Sequence, residues 1–142
     1  MKKIQIINGP NLNLTGLRER NIYGNKGFDA ALQDLREKYP QVEINYFQSN
    51  IEGELIDAMH DAGAKSDAIV LNGGGYTHTS VALRDAVAAV SVPVTEVHMS
   101  NIAARESFRH TSLLTGVCRG SIMGFGVLSY HLAIEHILMT DK

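Results

Sequence analysis

Residues 3–24 of the chain, KIQIINGPNLNLTGLRERNIYG, join a short apolar run to a long irregular segment. The run at residues 3–7 is rich in isoleucine and predicts a buried strand. Residues 8–24 show neither helical nor strand periodicity, and they contain four asparagines, two arginines, one tyrosine and three glycines. A polar, irregular loop that leaves the first strand of an α/β protein is a common place for a functional site. We therefore expect the rest of the chain to complete a pocket around this loop.

The composition predicts one globular domain over residues 1–142, with 44% hydrophobic and 20% charged residues. The formal net charge of −2 and the absence of a Lys/Arg cluster argue against a nucleic-acid partner. No apolar run approaches the roughly 18 residues of a membrane span, and the N-terminal apolar run is too short for a signal peptide. We expect a cytoplasmic protein. Its single cysteine, Cys118, excludes an internal disulfide and is interpreted as a core residue.

Apolar periodicity predicts five strands that alternate with helices. The strands are predicted at residues 3–7, 42–46, 68–71, 94–99 and 117–122. The helices are predicted at residues 28–39, 49–63, 81–90 and 127–139, with a loop and a short helix over 100–115. Ser49 and Glu52 have the spacing of a capping box, and Gly63 is expected to end that helix. This alternation predicts a flavodoxin-like, three-layer α/β sandwich around a parallel sheet of order 2-1-3-4-5.

The predicted strand order places a topological switch point between the first and third strands, where ligands bind beyond the carboxyl ends. The loops at residues 8–24 and 72–80 leave these two strands, and both are rich in asparagine and glycine. The segment 98–101 leaves the fourth strand beside them. We therefore expect the three segments to form one crevice.

Tyr23 and Arg18 lie in the first of these loops. A tyrosine with its ordinary pKa of about 10 is only about 0.1% phenolate at neutral pH, and a neighbouring guanidinium lowers that pKa. Arg18 or Arg20 beside Tyr23 would therefore make a general base. The alternative is that the arginines are solvated and Tyr23 only packs, and sequence spacing leaves both open.

His78 and His98 fall in two different segments at the same predicted sheet edge. Glu96 precedes His98 by two residues, so on a strand both side chains point the same way. A Glu–His pair orients an imidazole for acid–base chemistry, although a structural role for each histidine stays open. The sequence lacks close His, Cys and carboxylate spacing, so no metal is expected.

The glycine run at residues 73–75 suggests nucleotide binding, but it lacks the Lys-Ser/Thr ending of a phosphate-binding loop. Arg105 and Arg109 are four residues apart and would share one face of a helix. They would meet either a polar or anionic ligand or solvent.

A series of motifs in chain order resembles the type II 3-dehydroquinate dehydratase family. These are NGPNLNL at residues 8–14, Arg18-Glu19, Ile22-Tyr23-Gly24, FQSNIEGELID at 47–57, YTHTSVALRD at 76–85, EVHMSN at 96–101, Arg105-Glu106 and Phe108-Arg109-His110. Because the motifs cover nearly the whole chain without large gaps, the resemblance is specific. It implies a flavodoxin-like fold and loss of water from 3-dehydroquinate to give 3-dehydroshikimate in the shikimate pathway. It also implies no cofactor or metal, a small-molecule substrate, and a homo-oligomer, in the family usually a dodecamer of four trimers.

The resemblance also implies a role for each matching residue. Tyr23 would remove a proton from C2 of the substrate, with its pKa lowered by Arg18. Asn11 would help to hold the enolate, and His98 would assist departure of the C1 hydroxyl. The substrate-binding residues implied are Asn72, Gly74, His78, Asp85, Met99, Ser100 and Arg109, with Asp85 reaching a neighbouring subunit's site.

The chain departs from the family pattern at three positions. Arg20 stands where proline is usual, Ala103 where histidine is common, and Thr15 where leucine is common. None of them matches a catalytic position, so they bear on kinetics and on the first loop. The rival hypothesis is a flavodoxin-like module that binds flavin or a nucleotide.

Overall fold

The computed structural model describes residues 1–14 and 27–140. The strands of the described sheet are β1 (Lys2–Asn8), β2 (Val42–Gln48), β3 (Ala68–Asn72), β4 (Val94–His98) and β5 (Gly120–Met123). The helices are α1 (Asp29–Lys38), α2 (Glu52–Lys65), α3 (Val81–Ala89) and α4 (Leu128–Met139). All strand pairs are parallel and the order is β2-β1-β3-β4-β5. The predicted topology is therefore confirmed.

The helices form two layers that cover opposite faces of the sheet. One core cluster joins α1 and α4 to the sheet, with Leu35 and Ile134 fully buried. The other joins α2 and α3 to the opposite face, where Leu55 and Met59 are fully buried. Every residue of β3 is buried, as expected for an apolar central strand covered on both faces. The predicted flavodoxin-like three-layer sandwich is confirmed.

The predicted capping box of Ser49 and Glu52 is wrong. Helix α2 begins at Glu52 with Ile51 at its N-cap, so Ser49 lies two residues before the capping position. The Ser49 hydroxyl instead accepts from the backbone N–H of Ile51 at 3.0 Å and donates to the Glu54 carboxylate. The Glu52 carboxylate accepts a hydrogen bond from Ser80, the N-cap residue of α3. Glu52 therefore links two helices rather than capping its own.

Two other predicted boundaries are also wrong. Helix α2 continues past Gly63 to Lys65, because this glycine serves close packing: a Cβ there would lie 2.6 Å from Cγ1 of Val90. The fifth strand begins at Gly120 rather than at Val117, which belongs to a 3-10 turn over Thr115–Val117. The remaining predicted strands and helices agree with the observed bounds within two residues.

The segment 100–115 contains the 3-10 turns Ile102–Ala104 and Ser107–Arg109 in place of the expected short helix. Arg105 follows the first turn and Arg109 ends the second, so the expectation that they share one helix face is wrong. This segment leaves the carboxyl end of β4 and lies beside the loop that follows β3.

Candidate active site

A small cleft lies at the carboxyl ends of β3 and β4, beside the loop that follows β1. The described residues enclose a cavity of about 70 Å³. Its lining consists of Leu12, Asn72, Gly74, His78, His98, Met99, Ser100, Ile102, Arg105 and Arg109. Seven of the residues expected at the site therefore meet in one place, although they come from residues 72–78 and 98–109 of the chain.

The other expected site residues lie elsewhere or outside the described part of the chain. Arg18 and Tyr23 fall within residues 15–26, which the structure does not describe. Asp85 is exposed on α3 and does not line the cleft. Asn11 is exposed, adopts a left-handed φ of 68°, and donates its backbone N–H to Oδ1 of Asn50 at 2.9 Å. Its neighbour Leu12 lines the cleft in its place.

The loops after β1 and β3 meet backbone to backbone beside the cleft. The N–H of Gly9 donates to the carbonyl of Asn72 at 2.8 Å. A Cβ on Gly9 would lie 2.5 Å from the carbonyl oxygen of Gly73, and a Cβ on Gly74 would lie 2.9 Å from that of Pro10. Gly74 also has a left-handed φ of 58°. Only glycine permits this approach, and it brings the two loops together as the sequence predicts.

His98 is held by Glu96 on the same strand, as their spacing predicts. The Nε2 atom of His98 lies 2.6 Å from Oε2 of Glu96, and the Glu96 side chain is fully buried. Because a carboxylate can only accept, Nε2 carries the proton in this bond. This leaves Nδ1 as the ring atom of His98 that can exchange a proton with a substrate.

Glu96 remains ionised although it is buried. Burial alone would raise the pKa of its carboxyl, but hydrogen bonds from His98, Ser112 and Thr115 outweigh burial and lower that pKa to about 2. Ser112 Oγ lies 2.7 Å from Oε2, and the Thr115 hydroxyl donates to Oε1. Ser112 and Thr115 were not predicted, since the segment that contains them lies 16 and 19 residues away in sequence.

His78 is oriented by the same segment. Its Nδ1 atom lies 2.9 Å from the carbonyl oxygen of Thr111. A carbonyl only accepts, so Nδ1 donates and Nε2 is left for a ligand. The ring of His78 stacks on the ring of His98, with centroids 6.4 Å apart. The two histidines of the sequence analysis therefore lie side by side.

A hydrogen-bond chain that was not predicted fixes Asn72. Its Nδ2 donates to the hydroxyl of Tyr130 at 3.0 Å, and that hydroxyl donates to Oδ1 of Asn8 at 2.7 Å. Oδ1 of Asn72 also accepts the backbone N–H of Gly74 at 3.1 Å. The chain ties helix α4 to the carboxyl ends of β1 and β3. The sequence feature that could have indicated this hydrogen-bond chain is the pair Asn8 and Asn72 at the ends of two buried strands, since buried asparagine side chains need polar partners.

Arg105 and Arg109 bring positive charge to the cleft on either side of Glu106. Nε of Arg109 lies 3.0 Å from Oε1 of Glu106, and Nε of Arg105 lies 3.7 Å from it. The pKa of Glu106 is lowered first by a hydrogen bond to its own backbone and then by the two arginines. Arg105 also approaches the Ser100 hydroxyl at 3.4 Å. The described lining contains two arginines and two histidines and no carboxylate, which suits an anionic, hydroxylated ligand.

A larger concavity of about 450 Å³ lies between β1, β2 and α2, and its lining includes Glu54, Asp57 and Asp61 without a basic side chain among the described residues. It repels anions and brings no histidine to its surface, so the smaller cleft is the better candidate. Within residues 1–14 and 27–140 no group of three metal-binding side chains comes together. None of the described helices has the length and apolar character needed to cross a bilayer.

The parallel sheet, the switch-point cleft and the Glu-supported histidine define an α/β enzyme of the flavodoxin-like class. The family model for class II dehydroquinases matches residues 2–138, and the chain belongs to this family. The 3-dehydroquinate dehydratase of Caldicellulosiruptor bescii is 51% identical over 137 residues, which cover 94% of each chain.

Two solved structures of type II dehydroquinases share the fold. The enzyme from Butyrivibrio crossotus superimposes with a TM-score of 0.88 at 45% identity, covering 96% of this chain and 97% of the other. The enzyme from Propionibacterium acnes superimposes with a TM-score of 0.90 at 34% identity, covering 98% and 97%. The resemblance found in the sequence motifs is therefore confirmed.

Proposed function

We propose that this protein removes water from 3-dehydroquinate to form 3-dehydroshikimate, the reaction named for its relatives. The observation that carries the proposal is the convergence of His78, His98, Asn72 and Arg109 in one cleft. A substrate with a carboxylate and several hydroxyl groups needs cations and hydrogen-bond donors, which these side chains provide. The rival flavin or nucleotide module gains no support from the described cleft, which is small and has no phenylalanine, tyrosine or tryptophan in its lining.

Tyr23 is the proposed base. The C2 proton lies next to a ketone, so its removal requires a base and leaves an enolate that needs stabilisation. Glu96 is already bound to His98, and Glu19 lies between Arg18 and Arg20, which would lower its pKa and weaken it as a base. A tyrosine with its pKa lowered by Arg18 meets the requirement, and Asn11 would help to hold the enolate.

His98 is the proposed acid for loss of the C1 hydroxyl. When its ring is protonated, the Glu96 carboxylate stabilises the imidazolium through Nε2 and leaves the Nδ1 proton for the departing oxygen. Electrons move from the enolate to form the C1–C2 double bond while the C1–O bond breaks and water leaves. Substrate hydroxyls would be held by Asn72, His78 and Arg109, and the carboxylate by the backbone at Met99 and Ser100. Gly74 would also contact the substrate.

The direct test is the appearance of enone absorbance when purified protein meets 3-dehydroquinate. Tyr23→Phe should lose at least a few orders of magnitude in turnover while substrate still binds. Arg18→Ala should also lower turnover and shift the pH at which the base becomes active upward. Tyr76→Phe is the matched control, since the Tyr76 hydroxyl bonds to the carbonyl of Asn50 outside the cleft. Retention of more than about a tenth of turnover in Tyr23→Phe would show that the base is wrong and make His98 the candidate.

We propose that the enzyme works as a homo-oligomer, a dodecamer built from trimers, in which Asp85 completes a neighbouring subunit's site. Its exposed position on α3, away from the cleft of its own chain, supports this role. Asp85→Ala should lower turnover and weaken association together, as measured by assay and by sedimentation. Asp34→Ala removes an exposed carboxyl from α1 and serves as the control. Unchanged turnover and unchanged size in Asp85→Ala would contradict a shared site.

A further inference from the structure

The buried carboxylate of Glu96 is held from outside its own strand by two hydroxyl groups. Ser112 donates to Oε2 at 2.7 Å, Thr115 donates to Oε1, and His98 lies 2.6 Å from Oε2. We infer that Ser112 and Thr115 are positioning residues of the dehydration. Their hydroxyls keep Glu96 in the geometry that orients His98 as the acid. The inference rests on the proposed function, in which His98 protonates the leaving hydroxyl.

The direction of the Ser112 hydrogen bond follows from its surroundings. Its Oγ atom accepts the backbone N–H of Leu114 at 3.1 Å and of Thr115 at 3.2 Å. With its lone pairs used in this way, the single hydroxyl proton points at Glu96. The loop at residues 112–115 is therefore folded so that both hydroxyl protons face the carboxylate.

These donors are needed because Glu96 has no exposed surface. A buried carboxylate without partners becomes protonated, since burial raises its pKa. Protonated Glu96 would carry its own O–H and would no longer stabilise a charged imidazole. The hydroxyls thus act on His98 through the charge state of Glu96, which has a pKa of about 2 in the intact network.

Several ionisable groups face this network. His98 lies on the same strand and His78 stacks on it. Arg105 and Arg109 share the cleft with His98. The Cys118 thiol lies in the segment before β5, and its pKa is raised by burial and then by the charge of Glu96. Of these described ionisable groups, only Glu96 accepts a hydrogen bond from Ser112 or Thr115, so a new inflection in the pH profile shared by both variants identifies its carboxyl.

The segment at residues 111–115 also orients the second histidine, His78. The carbonyl of Thr111 accepts from His78, and the N–H of Leu113 donates to the carbonyl of Thr77 at 2.8 Å. A sequence of five residues, 111–115, therefore fixes the ring nitrogens of both histidines.

The test compares Ser112→Ala, Thr115→Val and the double variant with wild type over pH 5 to 8. Thr115→Ser restores the hydroxyl and is the rescue. Ser121→Ala is the matched control. Ser121 lies on β5 directly beside Glu96 of β4, and its buried Oγ makes no hydrogen bond to the described residues. Turnover is measured together with the side-chain ¹⁵N signals of His98, and circular dichroism checks folding.

We expect kcat of the double variant to fall about tenfold at neutral pH and further as the pH falls toward 5, with little change in KM. The Nε2 signal of His98 should lose its hydrogen-bonded character over the same pH range. Thr115→Ser and Ser121→Ala should follow wild type. If the profiles keep the wild-type shape and the His98 signals do not move, Ser112 and Thr115 have only a structural role and the inference is wrong.

The nuclear magnetic resonance measurement needs no substrate, so it separates this inference from the proposed function. Wild-type protein without activity on 3-dehydroquinate would overturn the proposed function. An altered His98 signal in the same experiment would still establish the link from the hydroxyls to the imidazole. If the double variant fails to fold, the single variants Ser112→Ala and Thr115→Val are compared with wild type instead. Each should show part of the change expected in the pH profile of kcat and in the His98 signals.

Discussion

The side chain of Asn72 is anchored by Tyr130, 58 residues further along the chain, through a hydrogen bond of 3.0 Å. Tyr130 is fully buried on α4, and its hydroxyl donates to Asn8 at the end of β1. One phenol thus joins the ends of two strands at the switch point. Because Asn72 lines the cleft, a residue in the core of the helical layer controls how an amide in the cleft lining is placed.

Tyr130→Phe should therefore affect both stability and substrate binding. The change leaves Oδ1 of Asn8 and Nδ2 of Asn72 without this partner, which costs about 1–3 kcal/mol of unfolding free energy. KM should rise as the Asn72 amide reorients. Tyr39→Phe is the control, since the Tyr39 hydroxyl bonds to the carbonyl of His131 and to Glu135, away from the cleft. Urea unfolding and steady-state kinetics measure the two effects, and an unchanged KM in Tyr130→Phe would contradict the coupling.

Glu96 should make the protein sensitive to acid. Its pKa is lowered from an ordinary 4.5 to about 2, so the folded state favours the carboxylate. The contribution to stability is complete above pH 4.5 and is lost as the pH falls toward 2, by about 3 kcal/mol in all. Urea unfolding at pH 6, 4 and 3 should show a shallower loss of stability in Glu96→Gln than in wild type. Glu43→Gln is the control, since it removes one exposed carboxyl. If the unfolding free energy of Glu96→Gln fell with pH as steeply as that of wild type, the prediction would be wrong.

Cys118 should react slowly with thiol reagents in the folded protein. Burial, followed by the charge of Glu96, raises the pKa of its thiol to about 12. At pH 8 the thiolate, which is the reactive form, is then about a thousandfold rarer than for an ordinary cysteine. Reaction with Ellman's reagent should therefore become about a thousandfold faster when the protein unfolds in urea. In the folded protein, Glu96→Gln should react faster than wild type, because it removes the charge that helps to raise the pKa of the thiol. A native rate within tenfold of the unfolded rate would contradict the expectation. The sequence interpretation of Cys118 as a core residue is only partly confirmed, since Cys118 packs against the core between α2, α3 and the sheet but is half-buried.

The fold could be predicted because its signals are local. The wholly apolar run of β3 and the helical spacing in α1 report burial directly through period and composition. The errors arose where a distant partner decides the local structure. Glu52 pairs with Ser80 rather than with Ser49. Val117, the predicted start of the fifth strand, lies in a turn, and the nearby Ser112 and Thr115 bind Glu96 on β4. Such contacts span 16 to 28 residues and leave no mark on sequence spacing.

In the candidate site too, local signals could be predicted and contacts between distant residues could not. Glu96 and His98 were predicted as a pair because two residues on one strand point to the same side. His78 was predicted to lie near them because the strands β3 and β4 end at the same edge of the sheet. Tyr130 was missed because a tyrosine in an apolar helix has the pattern of a core residue, and its partners lie 58 and 122 residues away.

The contact between the loops after β1 and β3 predicts that Gly9 tolerates no side chain. A Cβ at this position would lie 2.5 Å from the carbonyl oxygen of Gly73 and 3.3 Å from that of Asn72. Both atoms belong to backbone, so Gly9→Ala must separate the loops, at a cost of about 1–3 kcal/mol. The hydrogen bond from Gly9 to Asn72 would weaken with it. Turnover should fall with stability, because the separation widens the cleft near Leu12 and Gly74.

Gly75→Ala is the matched control in the same turn. A Cβ on Gly75 meets nothing within 4 Å, and its φ lies outside the left-handed range. Stability should therefore stay within about 0.5 kcal/mol of wild type, and turnover should be unchanged. Thermal unfolding and the enone assay measure both variants side by side. If Gly9→Ala were as stable and as active as Gly75→Ala, the loops would not depend on their close backbone contact, and the cleft would have to be held by the hydrogen bonds of Asn72 alone.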